Sequence, residues 1–204
     1  NYIACFNKYI QYFEQYFSNK YNIKTVPNRI LEPFYCSIYN IIPWSRMLEN
    51  KTVLIINPFT NSMKKQLNSD FHIFKDKNQR IFSPKQKFVF YKSYQTSSGN
   101  YIHNNWLETY SKMCSDISKL DFDIALLGCG GYGLPLSNFI YTKMNKSAIY
   151  IGGGLQLLFG IMGKRWENND MWKTIIEENN TQFIRPSGDE ILENCNRVEG
   201  GCYW

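Results

Sequence analysis

The chain reads as an α/β protein with a Rossmann-like three-layer α/β/α core and a mostly parallel sheet of about four to five strands. Three features predict this. Short apolar runs of strand length at 53–57, 123–127 and 147–151 are each followed by a helix-forming segment. KFVFYKSY at 87–94 alternates as a strand does and is also followed by helical periodicity. Glycine clusters, GCGGYG at 128–133 and GGG at 152–154, directly succeed two of the apolar runs. Strands that alternate with helices make a parallel sheet covered on both faces. With 204 residues, 44% of them hydrophobic, one domain with a sizeable core is expected.

Along the chain, Cys5, Phe6, Tyr9, Ile10, Tyr12, Phe13, Tyr16 and Phe17 recur at three- and four-residue spacings. This predicts an amphipathic helix over 5–17 that lies against the main sheet. Residues 21–50 carry Pro27, Pro33 and Pro43, which oppose long regular elements, and they end in PWSRML, where Trp44 and Leu48 anchor a short helix. Residues 1–50 are therefore read as a helix and a connector packed on the core. The core, 51–166, opens with a strand from Val53 to Asn57 and a helix through Gln66, for which Thr60, Asn61 and Ser62 offer capping side chains. Segment 70–85 is polar and irregular, and the second strand ends in the loop QTSSGN. Residues 104–119 put Trp106, Tyr110, Met113, Cys114 and Ile117 on one helical face. Strand 123–127, the glycine loop, helix 134–144, strand 147–151 and GGG follow, then an apolar helix reaching about Met162. Past GKRW at 163–166, residues 167–204 add a helix at 170–178 and a tail ending VEGGCYW, in the same domain.

Composition narrows the function classes. No stretch of 18 or more uncharged apolar residues occurs, and NYIACFNKYI lacks the layout of a signal peptide, so a soluble, cytoplasmic protein without a membrane span is expected. The formal charge of +6 comes from scattered basic residues rather than a patch, which argues against a nucleic-acid partner. The six cysteines include no C-x-x-C pair and only His72 and His103 are present, so no metal ligands are assigned and the thiols are read as reduced.

GCGGYG fits G-x-G-x-x-G, follows a strand and opens a helix, the context in which backbone amides and the helix N-terminus receive a phosphate. A nicotinamide dinucleotide site also wants an acid at the end of the next strand, where this chain has IYIGGG. An S-adenosylmethionine methyltransferase usually has an acid just before the first glycine, where Leu127 stands. A loop that only makes a tight turn remains a further reading, and the second glycine cluster counts against it.

In a parallel sheet the loops at 57–60, 128–133 and 152–154 reach the same carboxyl edge and converge on one crevice. Pro58, Phe59 and Thr60, then Gly128, Gly130, Gly131, Tyr132 and Gly133, then Gly153, Gly154 and Gln156 are its candidate residues. Gln156 is placed to reach a base or sugar, and Lys164 and Arg165 to neutralise a diphosphate. Glu199, embedded in EGGCYW, is the acidic candidate of the tail; His103 and Glu108 are further general-base candidates without a supporting pattern. Asp121-Phe122-Asp123 spells the metal-binding D-x-D of many sugar transferases, but it precedes its strand and so belongs at the opposite edge.

PWSRML, VLIINPFTNSM, DFDIALLGCGGYGLPL, AIYIGGGLQLLFGIMGKRW and VEGGCYW together resemble a group of polysaccharide-biosynthesis-type proteins of bacteria and large DNA viruses. The strand, LG loop, helix, strand and IGG order within 120–155 is similar to the nucleotide-binding half of GT-D-type glycosyltransferases. The resemblance implies transfer of a sugar from a nucleotide-sugar donor to a hydroxyl acceptor in glycan assembly, with room for a divalent metal as cofactor. By motif, Pro58, Phe59, Gly128, Gly130, Tyr132, Gly133, Gly153, Gly154 and Gln156 become donor-site residues. Glu199, Lys164 and Arg165 are the candidates for chemistry. Such transferases carry an acidic R-x-G-D-G-E-like stretch near the N-terminus, and this chain, which begins at Asn1, has none. An upstream segment of a longer chain is therefore expected. The alternative is a nonenzymatic nucleotide- or sugar-binding module of a larger glycan-assembly protein.

Overall fold

The computed structural model of the chain describes residues 1–5 and 9–204. Its first elements are two short parallel strands, β1 (Tyr2–Cys5) and β2 (Lys24–Pro27), connected through helix α1 (Gln11–Tyr21). This corrects the expected helix over 5–17: Cys5 closes a strand and the helix begins at Gln11, while residues 6–8 lie outside the described residues. The main contacts of α1 are with β1 and β2, and Tyr12, Phe13, Tyr16 and Phe17 are exposed. A three- and four-residue spacing of aromatic residues fixes a helical stripe without fixing the surface that the stripe meets.

Pro27, Pro33 and Pro43 each stand immediately before a short helix: the 3-10 turn Asn28–Leu31, α2 (Phe34–Ile38) and the 3-10 turn Trp44–Leu48. Proline favours such starts because its φ is already helical and its missing N–H would have no partner there. Ser37 Oγ donates to the Gln79 carbonyl (2.7 Å) and Trp44 Nε1 to the Ile30 carbonyl (2.7 Å). Phe34 is buried edge-on to Trp172, with ring centroids 4.8 Å apart.

The main sheet contains β3 (Thr52–Asn57), β4 (Lys87–Lys92), β5 (Ile124–Leu127) and β6 (Ser147–Tyr150) in the order β4-β3-β5-β6, all parallel. The helices that follow these strands are α3 (Thr60–Asn68), α4 (Trp106–Ile117), α5 (Gly133–Met144), α6 (Gly154–Leu157), α7 (Lys164–Glu167) and α8 (Asp170–Asn179). Alternate strand residues face opposite layers. Val53, Ile55 and Leu126 pack with Met63 of α3, Leu155 of α6 and Trp172 of α8, whereas Leu54, Ile56, Ala125 and Leu127 pack with Met113 and Ile117 of α4 and Leu136 and Ile140 of α5. Both faces of the sheet are thus covered, which is why its central strands read as unbroken apolar runs. The chain leaves β3 for β4 on one side and returns to β5 on the other, so the connections diverge between β3 and β5. That gap is the topological switch point.

Two local expectations are corrected. The helix after GGG stops at Leu157 instead of reaching Met162, because Gly160 turns left-handed (φ 73°) and Ile161 pairs with Ile184 in a parallel bridge. An apolar run does not by itself distinguish buried helix from buried extended chain. At α3, none of Thr60, Asn61 and Ser62 caps the helix with its side chain. Instead the fully buried Glu190 carboxylate accepts from the amides of Asn61 (2.8 Å) and Ser62 (3.1 Å) and from Ser62 Oγ.

Glu190 belongs to the tail, which returns to the carboxyl edge of the sheet. The amide of Arg165 donates to the Cys202 carbonyl (3.0 Å), and Arg185 Nη1 donates to the Trp204 carbonyl (2.6 Å). Gly163 permits this approach, since a Cβ there would stand 2.6 Å from the Cys202 carbonyl oxygen. Among the described residues no helix is long and apolar enough to cross a membrane.

Candidate functional site

The carboxyl ends of β3 and β5, at the switch point, open onto a cavity of about 490 Å3. Asn57, the last residue of β3, joins its loop to the next: its Oδ1 accepts from the Phe59 amide (2.8 Å) and its Nδ2 donates to the Gly128 carbonyl (2.9 Å). Gly128 is pressed against the second glycine cluster, where a Cβ would lie 2.6 Å from the Gly152 carbonyl oxygen. Gly130 has φ 57°, and neither it nor Gly131 would bring a Cβ within 4 Å of other atoms, so the loop crest faces open space.

The amides of Cys129, Gly130 and Gly131 donate to no acceptor among the described residues, and α5 begins directly behind them at Gly133. Free amides together with the positive end of a twelve-residue helix favour an anion at this place. Tyr150, at the end of β6, steadies the crest by donating from its hydroxyl to the Gly130 carbonyl (3.1 Å).

The remaining walls are largely aromatic. Trp106 lies parallel to Tyr132 with ring centroids 4.8 Å apart, and the Tyr132 hydroxyl is 2.8 Å from Thr96 Oγ1. Tyr94, Tyr150, Tyr203 and Trp204 add further rings to the lining. Among the described residues Glu199 is the one charged side chain that lines the cavity; it pairs with the Arg165 guanidinium, which also lies over the Tyr203 ring at 4.6 Å. Glu199 (φ 47°), Gly200 (φ 68°) and Gly201 (φ 76°) form three consecutive left-handed residues, a tight fold that brings the tail onto the cavity rim. Burial holds the Tyr150 and Tyr203 phenols above their ordinary range, so both are neutral near pH 7.

Cys129 is buried in the glycine loop, and burial pushes its thiol from an ordinary 9.0 up to about 12. A protonated, shielded thiol is neither a nucleophile nor a redox sensor. Native protein treated with a thiol reagent at pH 8 is expected to leave Cys129 unlabelled, as peptide mass spectrometry would read. The unfolded chain gives up this proton first. The stability linked to Cys129 is therefore full below pH 9 and is lost as pH rises towards 12, which urea midpoints across that window would register.

Of the candidates from sequence, Pro58, Phe59, Gly128, Gly130, Gly131, Tyr132, Gly153 and Gln156 line the cavity. Thr60, Gly133 and Gly154 do not. Thr60 is buried at the start of α3, Gly133 makes room for the Tyr150 ring, and Gly154 abuts the Glu32 carboxylate. The Gln156 amide nitrogen is committed to the carbonyls of Ile161 (3.2 Å) and Tyr203 (3.0 Å). Lys164 Nζ donates to Asn196 Oδ1 (3.3 Å), and neither Lys164 nor Arg165 lines the cavity. Asp121 and Asp123 stand at the amino edge, where Asp123 accepts from the Thr52 amide (2.7 Å). His103 and Glu108 are occupied around the start of α4, His103 with Thr109 (3.0 Å) and Glu108 with Asn104 (3.2 Å).

Ser93, Tyr94, Gln95, Thr96 and Trp106, which also line the cavity, were not among those candidates. The signal was present: SYQTS follows a parallel strand and so reaches the same edge as the glycine loops. Among the described residues no three His, Cys, Asp or Glu side chains come together as a metal-holding group, and the cavity's carboxylate is already tied to Arg165. The described residues of the cavity thus do not fit a divalent metal.

Fold and cavity define the class: a parallel α/β/α domain with a ligand crevice at its topological switch point. Comparison of the chain with protein-family models, with curated proteins and with solved structures returned no match.

Proposed function

We propose that the cavity binds a nucleotide sugar and that the chain is the nucleotide-binding domain of a glycosyltransferase acting in glycan assembly. The observation that carries this reading is the crest of three unengaged amides, Cys129 to Gly131, at the start of α5 and at the rim of the cavity. A diphosphate fits such a crest without a cationic side chain, since amides and the helix dipole supply the positive potential. The aromatic walls offer stacking surfaces to a base and a sugar. The loop follows β5, the third strand of the main sheet in chain order, whereas the dinucleotide fingerprint follows the first, and β6 ends without an acid. Leu127 speaks in the same way against S-adenosylmethionine.

Transfer requires an acceptor hydroxyl oxygen to bond to the anomeric carbon while the bond from that carbon to the diphosphate oxygen breaks, its electron pair leaving with the nucleoside diphosphate. The acceptor's proton needs a base. Glu199 is the cavity's carboxylate, and release from Arg165 would free it for that role and free the guanidinium for the leaving diphosphate. A second reading, a binding module without turnover, is favoured by the pairing of Glu199 with Arg165.

Thermal-shift measurements with UDP-, GDP- and dTDP-sugars, S-adenosylmethionine and NAD test the binding. At a hundredfold excess over Kd a true ligand stabilises by about 2.7 kcal/mol. Stabilisation by at least one nucleotide sugar is expected, and a shift with S-adenosylmethionine or NAD alone would overturn the proposal. Release of nucleoside diphosphate then separates the readings: turnover marks the transferase, whereas binding without turnover marks the module.

A further inference from the structure

A second cavity, of about 520 Å3, opens where α3 and α8 end, and it shares no lining residue with the crevice. Its charged side chains are Lys65 of α3 and then Asp70, Lys75 and Arg80 of the connection from α3 to β4, which also supplies His72. Arg80 is half-buried, and among the described residues its guanidinium makes no hydrogen bond and no ion pair. Its Nε is shielded from solvent, whereas its two terminal nitrogens remain accessible. Lys65 and Lys75 are exposed and likewise have no ion-pair partner among the described residues.

The backbone that carries these groups is pinned. The carbonyls on either side of Arg80, those of Gln79 and Ile81, accept from Ser37 Oγ (2.7 Å) and from Ser45 Oγ. The His72 carbonyl accepts from Thr181 Oγ1 (2.8 Å), and the Lys75 amide donates to Asn179 Oδ1 (3.0 Å). Cations without partners are thus held around one cavity, an arrangement that costs free energy until an anion neutralises it.

Charge and shape set the kind of anion. Burial and the nearby Arg80 hold the His72 imidazole below its ordinary range, so it is neutral near pH 7. The one carboxylate of the lining, Asp70, is 88% exposed and lies 3.2 Å from His72 Nε2, so it pairs with none of the three cations. The negative ends of α3 and α8 offset part of the charge, but Lys75 and Arg80 belong to neither helix. A guanidinium fork and two ammonium groups match the three oxygens of a phosphoryl group better than the two of a carboxylate. Phe71, Asn180 and Gln182 line the rest of the space and leave room for an organic body. We infer that this cavity is a second anion site, in which Arg80, Lys65 and Lys75 hold the phosphoryl group of a small molecule.

The two histidines report on the two cavities separately. His72 lines this one, whereas His103 stands edge-on to Tyr94 of the crevice, with ring centroids 5.3 Å apart. NMR of the histidine rings at low salt, during titration with a hexose 6-phosphate, inorganic phosphate, the free hexose and acetate, tests the site. Both phosphates are expected to shift the His72 signals to saturation, and the free hexose to leave them in place. A tighter ester would mark an organic phosphate as the ligand, and equal affinities would mark inorganic phosphate. Acetate should bind at least about tenfold more weakly than either, and Arg80→Gln should weaken the phosphate curves at least about tenfold. A His72 signal that answers to neither phosphate, equal affinity for acetate, or an unchanged curve in Arg80→Gln would each overturn the inference. Without ligand, Arg80→Gln should melt within about 2 °C of wild type, since the guanidinium has no partner to lose. If that variant unfolds, the double substitution Lys65→Gln and Lys75→Gln decides: a loss of about tenfold upholds the site, and an unchanged curve overturns it.

Discussion

Glu190→Ala is expected to lower the unfolding free energy by about 3 kcal/mol, measured by urea denaturation. The substitution strands the amides of Asn61 and Ser62 and the Ser62 hydroxyl in a buried place and removes an anion from the N-terminus of α3. Glu190→Gln keeps the shape and one acceptor oxygen, so its loss should be smaller, about 1–2 kcal/mol. A change under about 0.5 kcal/mol for Glu190→Ala would show that the tail does not hold α3. This cap also bears on ligand placement. The start of α3, although at the right edge of the sheet, already has its carboxylate, which leaves the start of α5 for a phosphate.

Gly131→Val should abolish nucleotide binding, a loss of at least about a hundredfold, while the melting temperature stays within about 2 °C of wild type. Gly131 has ordinary φ, and a Cβ on it would meet nothing within 4 Å, so the fold accommodates a side chain there. Valine would project into the space proposed for the phosphate and screen the neighbouring amides. Retained affinity would remove the glycine crest from the binding site. Gly128→Val would not discriminate in this way, because its Cβ meets the Gly152 carbonyl oxygen at 2.6 Å and the fold itself would suffer.

The main sheet was legible because its strands are buried on both faces and therefore stand out as apolar runs, as at Val53 to Ile56. The loops at 57–60, 128–133 and 152–154 followed from the parallel order, and each contributes to the cavity. What escaped depended on contacts between distant parts of the chain. Glu190 meets Asn61 and Ser62 across more than half of the sequence, and no local pattern announces such a cap. Tyr2 to Cys5 is a four-residue strand whose partner, Lys24 to Pro27, contains threonine, valine and a terminal proline, so neither segment carries a strong periodic signal. The apolar stretch after GGG suits buried extended chain as well as helix, and Gly160 decides between them only through its left-handed φ.

Because residues 187–204 contribute Val198, Glu199, Tyr203 and Trp204 to the cavity and Glu190 to α3, the four strands of the sheet are all synthesised well before the crevice has its last wall. On the ribosome, a chain that has emerged only through β6 holds the glycine crest and the walls from the β3, β4 and β5 ends, but not the tail that closes the cavity. The full cavity is therefore complete only late in synthesis, and if it takes a nucleotide as proposed, that ligand would favour chains whose tails have docked over those whose tails are still loose.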